Sequence, residues 1–107
     1  MQRDEPVWAI AAFDLPTKTA EERREANHYR NYLLKLGFSR VQLSVYAKYV
    51  INGSGFTWLG EAVGRVVPPG GIVRIIPVSD NEWARTIAFK GENRQPPDPP
   101  PTQLTLF

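Results

Sequence analysis

The carboxylate of Asp14 follows directly on a short apolar run, Val7 to Phe13, and precedes the point where the chain turns at Leu15-Pro16. A continuous apolar run of this length predicts a central strand covered on both faces. A carboxylate at the end of such a strand faces outward from a rigid support. Hard divalent ions such as Mg²⁺ take oxygen ligands and keep several waters. Asp14 is therefore the candidate Mg²⁺ ligand and catalytic residue, and the alternative is that it only caps the following loop.

Other kinds of metal site are excluded by composition. The chain has no cysteine and a single histidine, His28, which excludes disulfides, thiolate sites and a structural zinc site. Any metal must be held by oxygen atoms, and one chain offers little besides Asp14. A site with one carboxylate from each of two subunits is chemically reasonable. We expect His28 to be an ordinary surface residue rather than a general base.

The net charge of +2 hides an uneven distribution of charge along the chain. Between Glu25 and Asp80 the only acidic residue is Glu61, whereas this stretch holds six basic residues. The bias favours a polyanionic partner, and a solvated basic face is the alternative. The candidate nucleic-acid-binding residues are Arg23, Arg24, Arg30, Arg40 and Lys48. Glutamates next to Arg23 and Arg24 can instead pair with those two arginines.

The first half of the chain predicts a helix followed by a long strand. Thr19 and Glu22 form a capping box, and apolar residues recur at helical spacing until Gly37. From Phe38 to Tyr49 the apolar residues alternate with polar ones, which predicts one long strand. Gln42, Ser44 and Tyr46 would share one face of it. We expect these three residues to line a dimer interface rather than to approach Asp14.

The second half predicts a turn at 52–55, a helix that begins at Phe56 and ends before the run Pro68-Pro69-Gly70-Gly71, a strand at 72–78, one helical turn at 80–84 and a final strand at 85–89. Pro77 marks the strand at 72–78 as an edge or bulged strand. The element order is that of a ferredoxin-like βαββαβ sandwich of the α+β class, with both helices on one sheet face. Because the first strand is apolar on both sides, we expect a second copy of the chain to cover the other face.

The composition changes at the end of the chain, which predicts a domain at 1–91 and a proline-rich tail at 92–107. The tail ends in an alternating apolar segment with Leu104, Leu106 and Phe107. Such a segment suits addition to an exposed sheet edge on the dimer mate or on another protein, and a frayed terminus is the alternative. The amino terminus lacks the pattern of a signal peptide and no apolar run is long enough to span a membrane, so we expect a cytoplasmic protein.

Four segments together resemble a known family. They are Phe13-Asp14-Leu15-Pro16, the helix with Arg30 and Leu33 that ends at Gly37-Phe38, the run from Val41 to Tyr46, and the run from Val73 to Val78. Their order and spacing resemble the CRISPR-associated endoribonuclease family, the smaller of the two core proteins of spacer acquisition. The resemblance covers roughly residues 7 to 90. The tail, which ends in Gln103-Leu104-Thr105-Leu106-Phe107, looks most like the type II CRISPR branch.

The resemblance implies a homodimer that bridges two dimers of a CRISPR-associated integrase and lies along the double-stranded DNA being inserted. It also implies that Asp14 is the Mg²⁺ ligand of a nuclease acting on single-stranded RNA or double-stranded DNA, while the integrase performs the integration. The tail would then dock on the integrase or on the dimer mate. Phe13 stands where a tyrosine often precedes the aspartate, so any role of a hydroxyl at that position is lost.

Three functions compete at this point. The chain is a DNA-binding scaffold of spacer acquisition, a working Mg²⁺-dependent nuclease, or an RNA-binding or small-ligand regulatory module on the same fold. The third hypothesis is disfavoured because the aromatic signature of the common RNA-binding sheet is missing. A glycine-rich ligand loop after the first strand is missing as well.

Overall fold

Four strands form one antiparallel sheet in the computed structural model, which describes residues 5–91 and the backbone of residues 93–94. The strands are β1 (Val7–Asp14), β2 (Ser39–Gln42), β3 (Val45–Val50) and β4 (Ile72–Ser79), in the order β2-β3-β1-β4. The apolar β1 lies between β3 and β4 and is antiparallel to both. With the two long helices on one side of this sheet, the predicted ferredoxin-like fold is confirmed.

Helix α1 (Ala20–Lys35) begins and ends where its sequence signals predict. At its start the Thr19 hydroxyl accepts a hydrogen bond from the Glu22 amide, and the Glu22 carboxylate accepts one from the Thr19 amide, both at 3.0 Å. At its end Gly37 adopts a φ of 99°. This left-handed residue lets the Gly37 and Phe38 amides bond the last free helix carbonyls. The local chemistry of both ends therefore fixes the length of α1.

Both long helices cover the same face of the sheet. Helix α2 (Phe56–Arg65) follows a short 3₁₀ turn, Gly53–Gly55. The core beneath the helices combines residues of β1, α1, β3 and α2, and its members include Phe13, Tyr29, Leu33, Tyr46, Leu59 and Val63. The apolar stripe of each helix thus determines which side of that helix packs on the sheet. No helix among residues 5–91 is long and apolar enough to cross a membrane.

The prediction of one strand from Phe38 to Tyr49 is wrong, because this segment is a hairpin. Strands β2 and β3 are joined by a turn at Leu43 and Ser44, and Gln42 pairs with Val45. A tight turn without glycine, proline or asparagine leaves the alternation of apolar and polar residues unbroken, so the pattern does not reveal it. Tyr46 pairs with Ala11, lies in the helix-side core and is 2% exposed. Gln42 and Tyr46 therefore lie on opposite faces.

The face opposite the helices is partly covered by the chain itself. Helix α3 (Asp80–Ala84) brings Trp83 against Trp8, with ring centroids 5.2 Å apart, and Asp80 accepts a 2.9 Å hydrogen bond from the Trp8 indole N–H. Trp8 is consequently 1% exposed in a single copy. The apolar character of β1 at this end is thus accounted for within one copy, and cover of the face by a second copy stays a prediction.

The rest of that face stays open to solvent. Strand alternation places Ala12, Val45, Ile72 and Ile76 on it, with the exposed Arg74 between the two isoleucines. We call the four apolar residues the open sheet face. Ile72 and Ile76 are 57% and 42% exposed. Both lie on β4, which is an edge strand of the four-stranded sheet. The prediction from Pro77 that this strand is at an edge is thereby confirmed.

The predicted final strand at 85–89 is displaced. Residues after α3 continue its last turn, since the Thr86 amide bonds the Trp83 carbonyl at 3.0 Å. Strand β5 is Phe89–Lys90 and pairs with β6, Asn93–Arg94. This pair crosses the predicted domain boundary after residue 91, and the boundary itself stays a prediction. The docking segment with Leu104, Leu106 and Phe107 lies outside the described residues.

Burial gives the fold a specific sensitivity to alkaline pH. The Tyr29 hydroxyl donates a 2.8 Å hydrogen bond to the Val63 carbonyl. Burial, with a smaller contribution from Tyr32, raises the pKa of Tyr29 from 10.0 to about 12. Since the unfolded chain then ionises Tyr29 at lower pH than the folded chain does, this contribution to stability is complete below pH 10 and is lost as the pH rises toward 12.

We expect the urea midpoint to fall less steeply between pH 10 and 12 in Tyr29→Phe than in wild type.

Candidate functional site

Asp14 ends β1, is exposed, and pairs with Ile72 of β4. The preceding residue is fixed firmly: the Phe13 amide donates a 3.0 Å hydrogen bond to the Ser44 carbonyl in the β2–β3 turn. The Phe13 ring is buried against Tyr29 and Tyr46, with centroids 5.6 and 5.5 Å away. The strand therefore holds the Asp14 backbone rigidly and leaves its carboxylate in solvent, as the sequence predicts.

A tight turn supports Asp14 from the other side. Pro68 to Gly71 form a β-turn in which the Gly71 amide bonds the Pro68 carbonyl at 2.9 Å and Gly70 has a φ of 80°. Proline followed by a left-handed glycine is typical of a type II turn. This turn packs against Leu15 and Pro16. The sequence reveals the turn through its Pro-Pro-Gly-Gly run, but nothing local to that run indicates the contact with the Asp14 loop.

The described part of one chain forms no closed metal site. Among residues 5–91 no three histidine, cysteine, aspartate or glutamate side chains lie close enough to hold a metal ion together. Mg²⁺ accepts one or two protein carboxylates and fills its remaining positions with water and substrate phosphate oxygens. Asp14 therefore fits a site that a second copy or a nucleic acid completes, and it does not fit a site closed by one chain.

The candidate nucleic-acid-binding arginines lie in two places. Arg23, Arg24 and Arg30 are on α1, and Arg40 is exposed on β2. Arg23 donates to the carbonyls of Thr17 and Lys18 at 3.2 and 3.0 Å, and so braces the loop that follows Asp14. Arg30 is half-buried and donates to the Asn27 side chain at 3.2 Å. Arg23, Arg24 and Arg40 are all exposed, but Arg23 already donates to two backbone carbonyls.

Lys48 has a structural contact that sequence reasoning missed. Its ammonium group donates a 2.9 Å hydrogen bond to the carbonyl of Leu36, the residue that caps the carboxyl end of α1. A cation at this end of a helix also interacts favourably with the helix dipole. Binding of a phosphate by Lys48 would compete with this bond.

Replacing Lys48 should therefore lower stability more than it lowers affinity for nucleic acid. We expect Lys48→Met to reduce the free energy of unfolding by about 1 kcal/mol, the typical value of one such hydrogen bond. Urea unfolding measures the effect, and Lys35→Met, which removes an exposed lysine from the last turn of α1, is the matched control. A larger loss of RNA affinity in Lys48→Met than in Lys35→Met, with equal stability, would contradict this role.

The remaining predicted residues do not gather at Asp14. Gln42 is exposed beside Val45 at the open sheet face. The Ser44 backbone carbonyl accepts the Phe13 amide next to Asp14, and Tyr46 is buried beneath the helices. His28 is exposed on α1, where it lines a groove with Tyr32 and Pro69. The predicted interface role of Gln42 and Ser44 stays a prediction, while Tyr46 is inaccessible to a partner of the folded chain.

Several known proteins are similar to this chain over most of its length. The profile of a family described as "CRISPR associated protein Cas2" matches residues 7–86. A protein of Paracidovorax avenae named "CRISPR-associated endoribonuclease Cas2" is 38% identical over 101 residues, which is 94% of each chain. Proteins of the same name from Parvibaculum lavamentivorans (38% identical, covering 94% of this chain and all of the relative) and Streptococcus mutans (37%, 78% of each) also match. The chain belongs to the Cas2 family of CRISPR-associated proteins.

Proposed function

We propose that this protein is a Mg²⁺-dependent endoribonuclease that also serves in CRISPR spacer acquisition, with Asp14 as its metal ligand. The observation that carries the proposal is the placement of Asp14. Its backbone is fixed by β1, the Ser44 carbonyl and the Pro68–Gly71 turn, while its carboxylate is exposed. A carboxylate that is held firmly but left in water is suited to bind an ion shared with a substrate. The related proteins named endoribonucleases support the choice of RNA.

The chain's own residues would bind and orient the nucleic acid strand. Mg²⁺, when bound, supplies charge neutralisation at the phosphate and lowers the pKa of a bound water. Asp14 would hold the ion at the carboxyl end of β1. Arg24 and Arg40, both exposed, contact phosphates at some distance from the cleaved bond. Such contacts position the strand without reading its sequence.

A homodimer is part of the proposal, because Ile72 and Ile76 leave apolar side chains exposed on the sheet and a metal site with one carboxylate from each subunit needs two copies. A second copy packed on Ile72 and Ile76 would remove from water the large exposed side chains of β4.

The role in spacer acquisition adds two further partners. We propose that the homodimer bridges dimers of a CRISPR-associated integrase of a type II system and binds the double-stranded DNA of the new spacer. The proline-rich tail with Leu104, Leu106 and Phe107 would dock on that integrase or on the mate. Membership in the Cas2 family supports this role. A scaffold without cleavage is the competing form of the same proposal.

One assay separates the nuclease from the scaffold. Single-stranded RNA and duplex DNA are each incubated with the purified protein, with Mg²⁺ and with a chelator. RNA cleavage that requires Mg²⁺ is the expected result. Binding of duplex DNA without cleavage of either substrate would instead support the scaffold function. Co-purification with an integrase encoded beside it tests the role in acquisition.

A further inference from the structure

We propose that the Pro68–Gly71 turn is a positioning element for Asp14, and that Gly71 acts in it by having no side chain. The inference rests on the proposed role of Asp14 as metal ligand. It assigns a function to a turn that sequence reasoning treated only as the end of α2. The turn contacts neither metal nor substrate, so Gly71 is a positioning residue rather than a catalytic one.

The contacts of Gly71 carry the proposal. A Cβ atom added there would lie 2.9 Å from Leu15 Cδ2, 3.1 Å from the Pro68 carbonyl oxygen and 3.3 Å from the Asp14 carbonyl oxygen. The first neighbour is the end of a flexible side chain and can move. The other two are backbone atoms, and one of them belongs to Asp14 itself. A side chain at position 71 would therefore push the turn and the Asp14 backbone apart.

Gly70 reinforces the same contact. Its φ of 80° is a conformation that residues with a side chain rarely adopt, and an added Cβ would lie 3.1 Å from Pro16 Cγ. Two successive glycines thus let the turn lie directly on the Asp14–Pro16 segment. Pro69 stiffens the turn by fixing its own φ. A stiff turn pressed against the loop limits the positions that the Asp14 carboxylate can take.

The test compares Gly71→Ala with Gly64→Ala in the full chain. Gly64 lies in α2, and a Cβ added there would meet nothing within 4 Å, so this control makes the same chemical change without a contact. We expect Gly71→Ala to raise the Mg²⁺ concentration for half-maximal RNA cleavage by about tenfold. Affinity for RNA, measured in chelator, should be unchanged. A turn that merely stabilised the fold would not shift the metal dependence.

Two readouts do not depend on activity. Titration of each protein with Mn²⁺ alone, followed by electron paramagnetic resonance, should show weaker binding in Gly71→Ala. In metal-free protein the backbone amide shifts of Phe13, Asp14 and Leu15 should change in Gly71→Ala and not in Gly64→Ala. If Gly71→Ala does not fold, Gly70→Asn should show the same changes, because asparagine tolerates the left-handed conformation and the added Cβ meets a single side-chain atom.

The possible failures are distinguishable. If Asp14→Asn cleaves as fast as wild type, the proposed function itself is wrong. A second outcome is that Asp14→Asn is inactive while Gly71→Ala and Gly64→Ala have the same Mg²⁺ dependence and the same Asp14 amide shifts. In that case the positioning role is wrong and the proposed function stands. The amide shifts test the positioning role even if the wild-type protein binds no Mn²⁺. If they are unchanged in both glycine variants, the positioning role is wrong.

Discussion

Asp14→Asn should reduce Mg²⁺-dependent cleavage of RNA by at least about 100-fold, equivalent to about 2.7 kcal/mol of transition-state stabilisation. The change keeps the size of the side chain and removes its charge, and a neutral amide is a poor ligand for Mg²⁺. The Asp14 side chain is exposed and forms no part of the core. We therefore expect the thermal midpoint and the affinity for RNA in chelator to stay close to those of wild type. Single-turnover cleavage across a range of Mg²⁺ concentrations measures the loss.

Glu61→Gln is the matched control for this experiment. Glu61 is an exposed carboxylate on α2, so its replacement makes the same change of charge at another place on the surface. It should cleave like wild type. Equal, severe losses in both variants would point to a general effect of charge. A fully active Asp14→Asn would remove Asp14 from the mechanism and leave the scaffold function in its place.

The sequence is most informative where a short segment determines its own structure. Thr19 and Glu22 satisfy the first amides of α1, and Gly37 can adopt the left-handed conformation that ends it. The apolar run of β1 likewise predicts a buried central strand and places Asp14 at its end. These features depend on residues that are close together in the sequence, so a single sequence contains the signals needed to predict them.

Features that depend on distant contacts are not predictable in this way. The alternation from Phe38 to Tyr49 fits one strand as well as two, and only pairing with β1 shows that Tyr46 faces the helices. The sequence does not reveal that the Lys48 ammonium group bonds the carbonyl at the end of α1. Trp83, far along the chain from Trp8, covers it through α3. Each of these errors concerns which face or which neighbour a residue meets, which tertiary structure decides.

The placement of exposed side chains on the open sheet face leads to a second large effect. We expect Ile76→Arg to raise the dissociation constant of the proposed homodimer by about 100-fold or more, equivalent to about 2.7 kcal/mol. Ile76 is 42% exposed on an edge strand of the free chain, so an arginine is accommodated there in the monomer. In a dimer that buries this face, the same guanidinium would lose water without gaining a partner. Sedimentation over a concentration series measures the shift.

Leu34→Arg provides the control, because Leu34 is 44% exposed but lies on α1, in the layer of helices across the sheet. It introduces the same charge at nearly the same exposure and should leave the dimer intact. If two Asp14 carboxylates share one ion, Ile76→Arg should also lose cleavage at low protein concentration and recover it as the concentration rises, whereas Asp14→Asn should not recover. An Ile76→Arg protein that dimerises like wild type would place the interface elsewhere. Monomeric Ile76→Arg with undiminished cleavage would instead show that each copy binds its metal without the other.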